Sequence, residues 1–179
     1  MKKQTNIIIS KKSVASKDLY DIVYSNVTVV NLLLDEGLEE TEIHKDALAS
    51  YYADYYLAQV ENGGFSQYVY NTKWKDIVND RVAYGLEKMG ALKHLDYFTK
   101  KRAEIDKIPN TKLDTYFDSD YFGENQTRDN LNDAIFINIE ENISDLNATW
   151  LKNHKDTNIL SIEDMFLAIE KISGTKIER

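Results

Sequence analysis

Cysteine is absent from the 179 residues, which removes disulfides, thiolate zinc sites and cysteine nucleophiles together. Proline occurs once, at Pro109, and glycine only seven times, so the chain has few places to turn sharply. Histidine is scarce as well. His44, His94 and His154 fall on separate expected helices without a His-x3-His or Glu-x2-His pair, and although Glu40 and His44 share a helical face, two ligands do not complete a zinc site. No apolar run approaches the roughly 20 residues of a membrane span. Ile7-Ile8-Ile9, near the start, is far shorter than the about 7–15 apolar residues of a signal peptide. A soluble, cytoplasmic protein without metal or other cofactor is the expectation.

Catalytic signatures are missing too. Asp114, Asp118 and Asp120 lack the glycine and terminal glutamate of an EF-hand loop, and Gly63-Gly64 is not followed by the Gly-Lys-Ser of a phosphate loop. No serine occupies a nucleophile elbow. Without a nucleophile, base and orienting group at recognisable spacing, the protein reads as a non-enzyme.

What the chain does have is 42% hydrophobic and 11% aromatic residues, recurring mostly with a period near 3.6. At this length about 70% of the unfolded surface can be buried. The pattern predicts an all-α protein, a single compact multi-helix domain of about six to eight helices over residues 16–179, preceded by an arm or short edge element over residues 1–15. Ser16 is placed to cap a first helix that Gly37 ends, with the β-branched run Val27 to Val30 leaving a strand as the alternative there. A second helix opens at Thr41-Glu42-Ile43-His44 and runs to Asn62. Trp74 to Met89 and Leu92 to Ile105 form two more, closed by Gly90 and Pro109. Residues 110–128 read as a long loop anchored on the core by Tyr116, Phe117, Tyr121 and Phe122. Leu131, Ile135, Ile139, Ile143, Leu146 and Trp150 rise in steps of three or four and predict one long helix to about His154. A last helix, capped by Ser161 with Asp164 at the capping-box position, ends at Gly174.

The densest stretch is Tyr51 to Trp74, YYADYYLAQVENGGFSQYVYNTKW. Tyr52, Tyr55, Tyr56 and Val60 line one helical face before the Asn62-Gly63-Gly64-Phe65 break, and Phe65, Tyr68 and Val69 restart the spacing after it. Asn62 and both glycines tolerate positive φ, so a sharp corner between two helices is expected, with Phe65 folded back on the preceding turn. In one reading these residues are cap, corner and core; in the other, Asn62, Gln67 and a tyrosine hydroxyl line a ligand pocket. The string Val60-Glu61-Asn62-Gly63-Gly64-Phe65-Ser66-Gln67-Tyr68, preceded by paired tyrosines (Tyr52 among them) and followed by Trp74, resembles the signature of the DNA-mimic protein family over roughly residues 48 to 90. That family is a bacterial domain named for a member that imitates duplex DNA. The resemblance implies a non-catalytic partner-binding protein.

Charge is unevenly distributed. Residues 104–147 hold eleven acids and three bases, a net −8 that equals the charge of the whole chain. Residues 35–61 carry net −7, while residues 1–34 (+3) and 62–103 (+4) are basic. Such a field steers cationic partners and repels nucleic acid. On the expected long helix, Asp129, Asp133, Glu140, Glu141 and Asp145 form a stripe about 25 Å long, along which duplex DNA carries roughly 15 phosphate charges. Five carboxylates fall short of that, so the loop acids Asp114, Asp118, Asp120 and Glu124, the acidic block 35–46 or a second subunit in a homodimer would have to fill in. The expected partner is a basic, DNA-binding protein. The alternatives are a small ligand-binding domain or enzyme centred on Asn62 and Gln67, and an immunity or antitoxin-like inhibitor.

Overall fold

The computed structural model describes residues 3–178. Among them the chain forms nine α-helices and a two-stranded sheet, so it is all-α in class. Two compact units divide it, one of residues up to Asp54 together with those from Ser144 onward, the other of Tyr55–Ile143. Among the described residues no helix is long and apolar enough to cross a membrane.

In the first unit, β1 (Ile7–Ser10) pairs in parallel with β2 (Thr157–Leu160), Ile7 opposite Thr157. All four residues of β1 are buried, so the expected arm or edge element contains a core strand. Ser10 also caps α1 (Lys11–Val14), its hydroxyl accepting the Ser13 N–H. Next comes α2 (Tyr20–Asp35), which starts beyond Ser16 and buries Ile22, Val23, Val29, Val30 and Leu33. Its β-branched run is helical because Val29 and Val30 are fully buried, and burial outweighs a few tenths of a kcal/mol of propensity. Where a helix start was expected at Thr41, the chain makes a 3-10 turn over Glu40–Glu42.

From this unit α3 (Lys45–Thr72) runs onward, and the division between units falls inside it. The first unit is completed by α8 (Ile143–Asn153), of which Ala148 and Leu151 join the core, and by α9 (Ile162–Ser173). α9 matches its expected bounds: Ser161 accepts the Asp164 N–H and Gly174 is left-handed. Buried amides are tied to backbone, Asn26 Nδ2 donating to Ala47 O at 2.9 Å and Asn147 Nδ2 to Ser50 O at 3.2 Å.

The second unit contains the later part of α3, then α4 (Asp76–Met89), α5 (Leu92–Ile105), α6 (Asn110–Asp118) and α7 (Gln126–Leu131). Two expectations are corrected here. Residues 110–128 are not a long loop: Pro109 opens α6, its carbonyl accepting from Lys112 and Leu113, and Asn125 caps α7 through the Arg128 N–H. α6 buries only Leu113 and Tyr116, too few apolar positions to show as a period. Of the four expected loop anchors, Tyr116 is buried and Phe122 is not.

The helix expected from Leu131 to His154 is also absent over residues 132–142, which are irregular apart from a 3-10 turn at Phe136–Asn138. Of the expected seam, Ile135 is exposed and Ile139 only half-buried, so the 3-4 spacing there marks no buried seam. Asn and Asp at 132, 133 and 138 direct their side chains to backbone groups instead, Asp133 Oδ1 accepting the Ile135 N–H and Asn138 Nδ2 donating to Ala134 O, which competes with helix formation.

Candidate functional site

The corner lies at Gly63 (φ −141°, ψ 17°) and Gly64 (φ 79°, ψ −179°), the two non-helical residues inside α3. The expected break is present, but only Gly64 takes positive φ, which corrects the assignment of that conformation to Asn62 and Gly63. A Cβ at Gly64 would lie 2.3 Å from Asn132 Oδ1. That close approach is functional for the helix: the Ser66 N–H, in the first turn after the break, donates to Asn132 Oδ1 at 2.9 Å. Glycine has no side chain to cap the turn it opens, so a residue from far along the chain does it. The Gly63 carbonyl in turn accepts from Tyr121 Oη at 2.9 Å and Asn132 Nδ2 at 3.4 Å.

Behind the corner is an aromatic core. The Tyr56 ring meets Tyr68 and Phe98 edge-on at 5.2 Å each and Phe65 at 6.1 Å. Tyr56, Phe65, Tyr68 and Phe98 are essentially inaccessible to water. Tyr68 Oη donates to Asn79 Oδ1 at 2.8 Å, while the buried Tyr56 hydroxyl has no hydrogen-bond partner among the described residues. Burial, reinforced by Tyr97, Tyr68 and Asp133, pushes that hydroxyl well above the ordinary tyrosine range. Trp74 closes the motif: its backbone is left-handed (φ 50°), its indole packs on Phe65 and Tyr68, and its Nε1 donates to Asp106 Oδ1 at 3.2 Å. Tyr52, by contrast, lies in the first unit, where its hydroxyl donates to Glu40.

The polar residues of the motif bond mainly to one another. Asn62 Nδ2 donates to Gln67 Oε1 at 3.1 Å, and Gln67 Nε2 to Gln59 Oε1 at 2.9 Å. Asn62 and Gln67 therefore belong to a side-chain amide chain across the corner.

The nine candidate acids are not one stripe. Asp114 and Asp118 are exposed on α6, one turn apart. Asp120 and Glu124 are exposed on the connection to α7, and Asp129 is exposed on α7 beside Arg128 Nε at 2.9 Å. Glu140 is exposed on the irregular segment. Two acids are engaged internally. Asp133 accepts from Lys101 Nζ at 2.8 Å and Tyr97 Oη at 3.3 Å. Burial opposes its ionisation, but the Lys101 ammonium and the Ile135 N–H outweigh it and hold the carboxyl below its usual range. Glu141 Oε2 accepts the N–H groups of Lys93 and His94 at 3.1 Å each, capping α5 where Ala91 cannot. Asp145 falls in the first unit, in the first turn of α8. Of the motif's remote partners, Tyr121 is one of the aromatics expected to anchor residues 110–128, whereas Asn132 left no local signal in the sequence.

The histidines give one surprise. His44 and His154 come within 5.7 Å, ring to ring, with His44 Nε2 facing Asp156 at 3.5 Å and His154 Nε2 facing Asp46 at 3.0 Å. Each Nδ1 accepts a backbone N–H, from Asp46 and Asp156 respectively, so each Nε2 carries the proton. A metal-binding Nε2 needs the opposite arrangement, in which Nδ1–H donates. Two His-Lys-Asp tripeptides therefore staple the first unit.

Fold and site together define an all-α protein whose motif is a remotely capped helical corner on an aromatic core, with exposed carboxylates on the later helices and connections of the same unit. The model of the DMP19-like protein family matches residues 41–154, and the chain belongs to that family. No curated protein and no solved structure matches the chain.

Proposed function

We propose that the protein is a non-catalytic acidic binding protein that occupies the nucleic-acid site of a basic, DNA-binding partner by imitating the charge of DNA. The observation that carries this reading is the exposure of Asp114, Asp118, Asp120, Glu124, Asp129 and Glu140 within one family-matched unit. Membership of the DMP19-like family supports it, since the family resemblance implies DNA imitation. Asp133, Glu141 and Asp145 are the remaining candidates, but the first two serve the fold, and their charges are partly satisfied there. The field repels nucleic acid, so direct DNA binding is not part of the reading. One helical turn separates Asp114 from Asp118, about 6 Å, against one charge per about 1.7 Å of duplex. A homodimer supplying a second set of acids accompanies the proposal for that reason.

The test is a pull-down from host lysate at low salt with salt elution, followed by competition between the purified partner's DNA and this protein. A DNA-binding partner, displaced by DNA and released as salt rises, is expected. Lysine at Asp114, Asp118, Asp120, Glu124 and Glu140 should abolish capture while leaving the helix content unchanged. Capture that survives this reversal at low salt removes the DNA-imitation reading, and a partner that DNA does not displace points to a toxin-neutralising role instead.

A further inference from the structure

Phe122 is 90% exposed, the most exposed large apolar side chain among the described residues. Isolated exposed apolar residues are ordinary, but this one is held out by its frame. Arg128 Nη1 donates to the carbonyls on either side, Tyr121 O at 2.7 Å and Gly123 O at 2.8 Å. The Phe122 N–H donates to Asp120 Oδ1 at 3.0 Å. Tyr121, next to it, turns inward, its hydroxyl on Gly63 O and its ring 5.2 Å from Tyr70, whose own hydroxyl donates to Ser119 O at 2.8 Å. The backbone is thus tied to the motif corner through Tyr121 and Tyr70, and the Phe122 ring stands edge-on to the Tyr121 ring at 5.4 Å and otherwise in water. Leaving a phenylalanine in water forgoes about 2–3 kcal/mol of burial, and holding its backbone in place lowers the ordering cost of later docking.

Within four positions of Phe122 along the chain lie three exposed carboxylates, Asp118, Asp120 and Glu124. We propose that Phe122 is the anchor of the acidic face and inserts into an apolar recess within a basic protein surface. This rests on the partner-binding reading above and adds to it a contact that DNA itself does not make. An exposed aromatic on a tied-down backbone beside exposed charges has the layout of an interface hot spot, in which the anchor sets the dissociation rate and the rim the encounter rate. The same carboxylates disfavour an anionic bilayer as the surface that receives the ring.

The experiment places the photo-crosslinking residue p-benzoylphenylalanine at position 122 and, as a control, at Thr111 in the full chain, exposes each to host lysate, and identifies the adduct by mass spectrometry. Affinity for the recombinant adduct protein is then measured for wild type, Phe122→Ala, Phe122→Trp and Asp118→Lys/Asp120→Lys/Glu124→Lys. Expected are a basic protein crosslinked at 122 and not at 111, at least about tenfold weaker binding by Phe122→Ala with an unchanged salt slope, near-wild-type binding by Phe122→Trp, and a shallower salt slope for the triple reversal. If Phe122→Ala binds within about twofold of wild type while the reversal abolishes binding, the anchor is overturned and the acidic-face reading stands. If neither variant changes affinity, both fall; if no adduct forms at 122 while the pull-down still captures a salt-released partner, the anchor is overturned and the acidic-face reading stands. Wild-type binding to phosphatidylcholine/phosphatidylglycerol vesicles that Phe122→Ala loses would overturn the protein recess in favour of lipid.

Discussion

Residues 62–68 and 132–142 lie in the same unit, and they differ in where their hydrogen bonds come from. The corner opens a helix on Gly64, and α5 opens on Ala91; neither residue has a side chain that can cap. Both missing caps come from 132–142, Asn132 serving Ser66 and Glu141 serving Lys93 and His94. The second stretch is irregular at the same positions whose side chains complete the first stretch and α5. A segment that carries helical spacing can thus be withheld from a helix because its polar residues are needed elsewhere.

The largest test of the comparison removes what lies beneath the corner. Tyr56→Ala should cost about 3–5 kcal/mol in denaturant unfolding. Tyr56→Phe should cost nothing or stabilise slightly, because the hydroxyl it deletes is buried without a partner. A large loss in Tyr56→Phe would mean that the hydroxyl is hydrogen-bonded after all.

Next comes the ion pair that fixes the irregular segment to α5. Lys101, with 6% of its side chain exposed, would lose its nearest carboxylate in Asp133→Asn, at a cost of about 2–3 kcal/mol near neutral pH. Because the Asp133 carboxyl is held below its usual range, its contribution is present above the unfolded value of about 3.9 and is lost as pH falls through the folded value. The stability gap between wild type and Asp133→Asn should therefore be widest above about pH 4 and close on further acidification; a gap that does not change with pH would assign the effect to packing.

Smaller effects separate the two glycines. Gly64→Ala should destabilise by about 1–2 kcal/mol through its positive φ and the clash with Asn132. Gly63→Ala should cost less, since its φ of −141° is ordinary and its Cβ meets the movable Gln67 side chain. Asn132→Ala and Glu141→Ala should each cost about 1 kcal/mol, as lost caps do. In the Gly64→Ala background Asn132→Ala should cost less than alone, because the clash has already displaced the cap. Strict additivity in that cycle would separate the glycine from the cap.

Several features were legible from residues alone because their signals are local. Seven glycines and one proline against a 3.6 period specified an all-α chain, Gly63-Gly64 between aromatic runs marked the corner, and Ser161 with Gly174 bounded α9. Each follows from backbone sterics or from a cap within a few residues of the group it satisfies. Tertiary structure alone decided which glycine turns left-handed, that residues 132–142 leave the helix, that His44 and His154 meet, and which acids stay in water. Those outcomes depend mostly on partners 32 to 110 positions away, such as Lys101 on Asp133 or His154 beside His44, and a donor's distant acceptor leaves no trace in the residues around the donor.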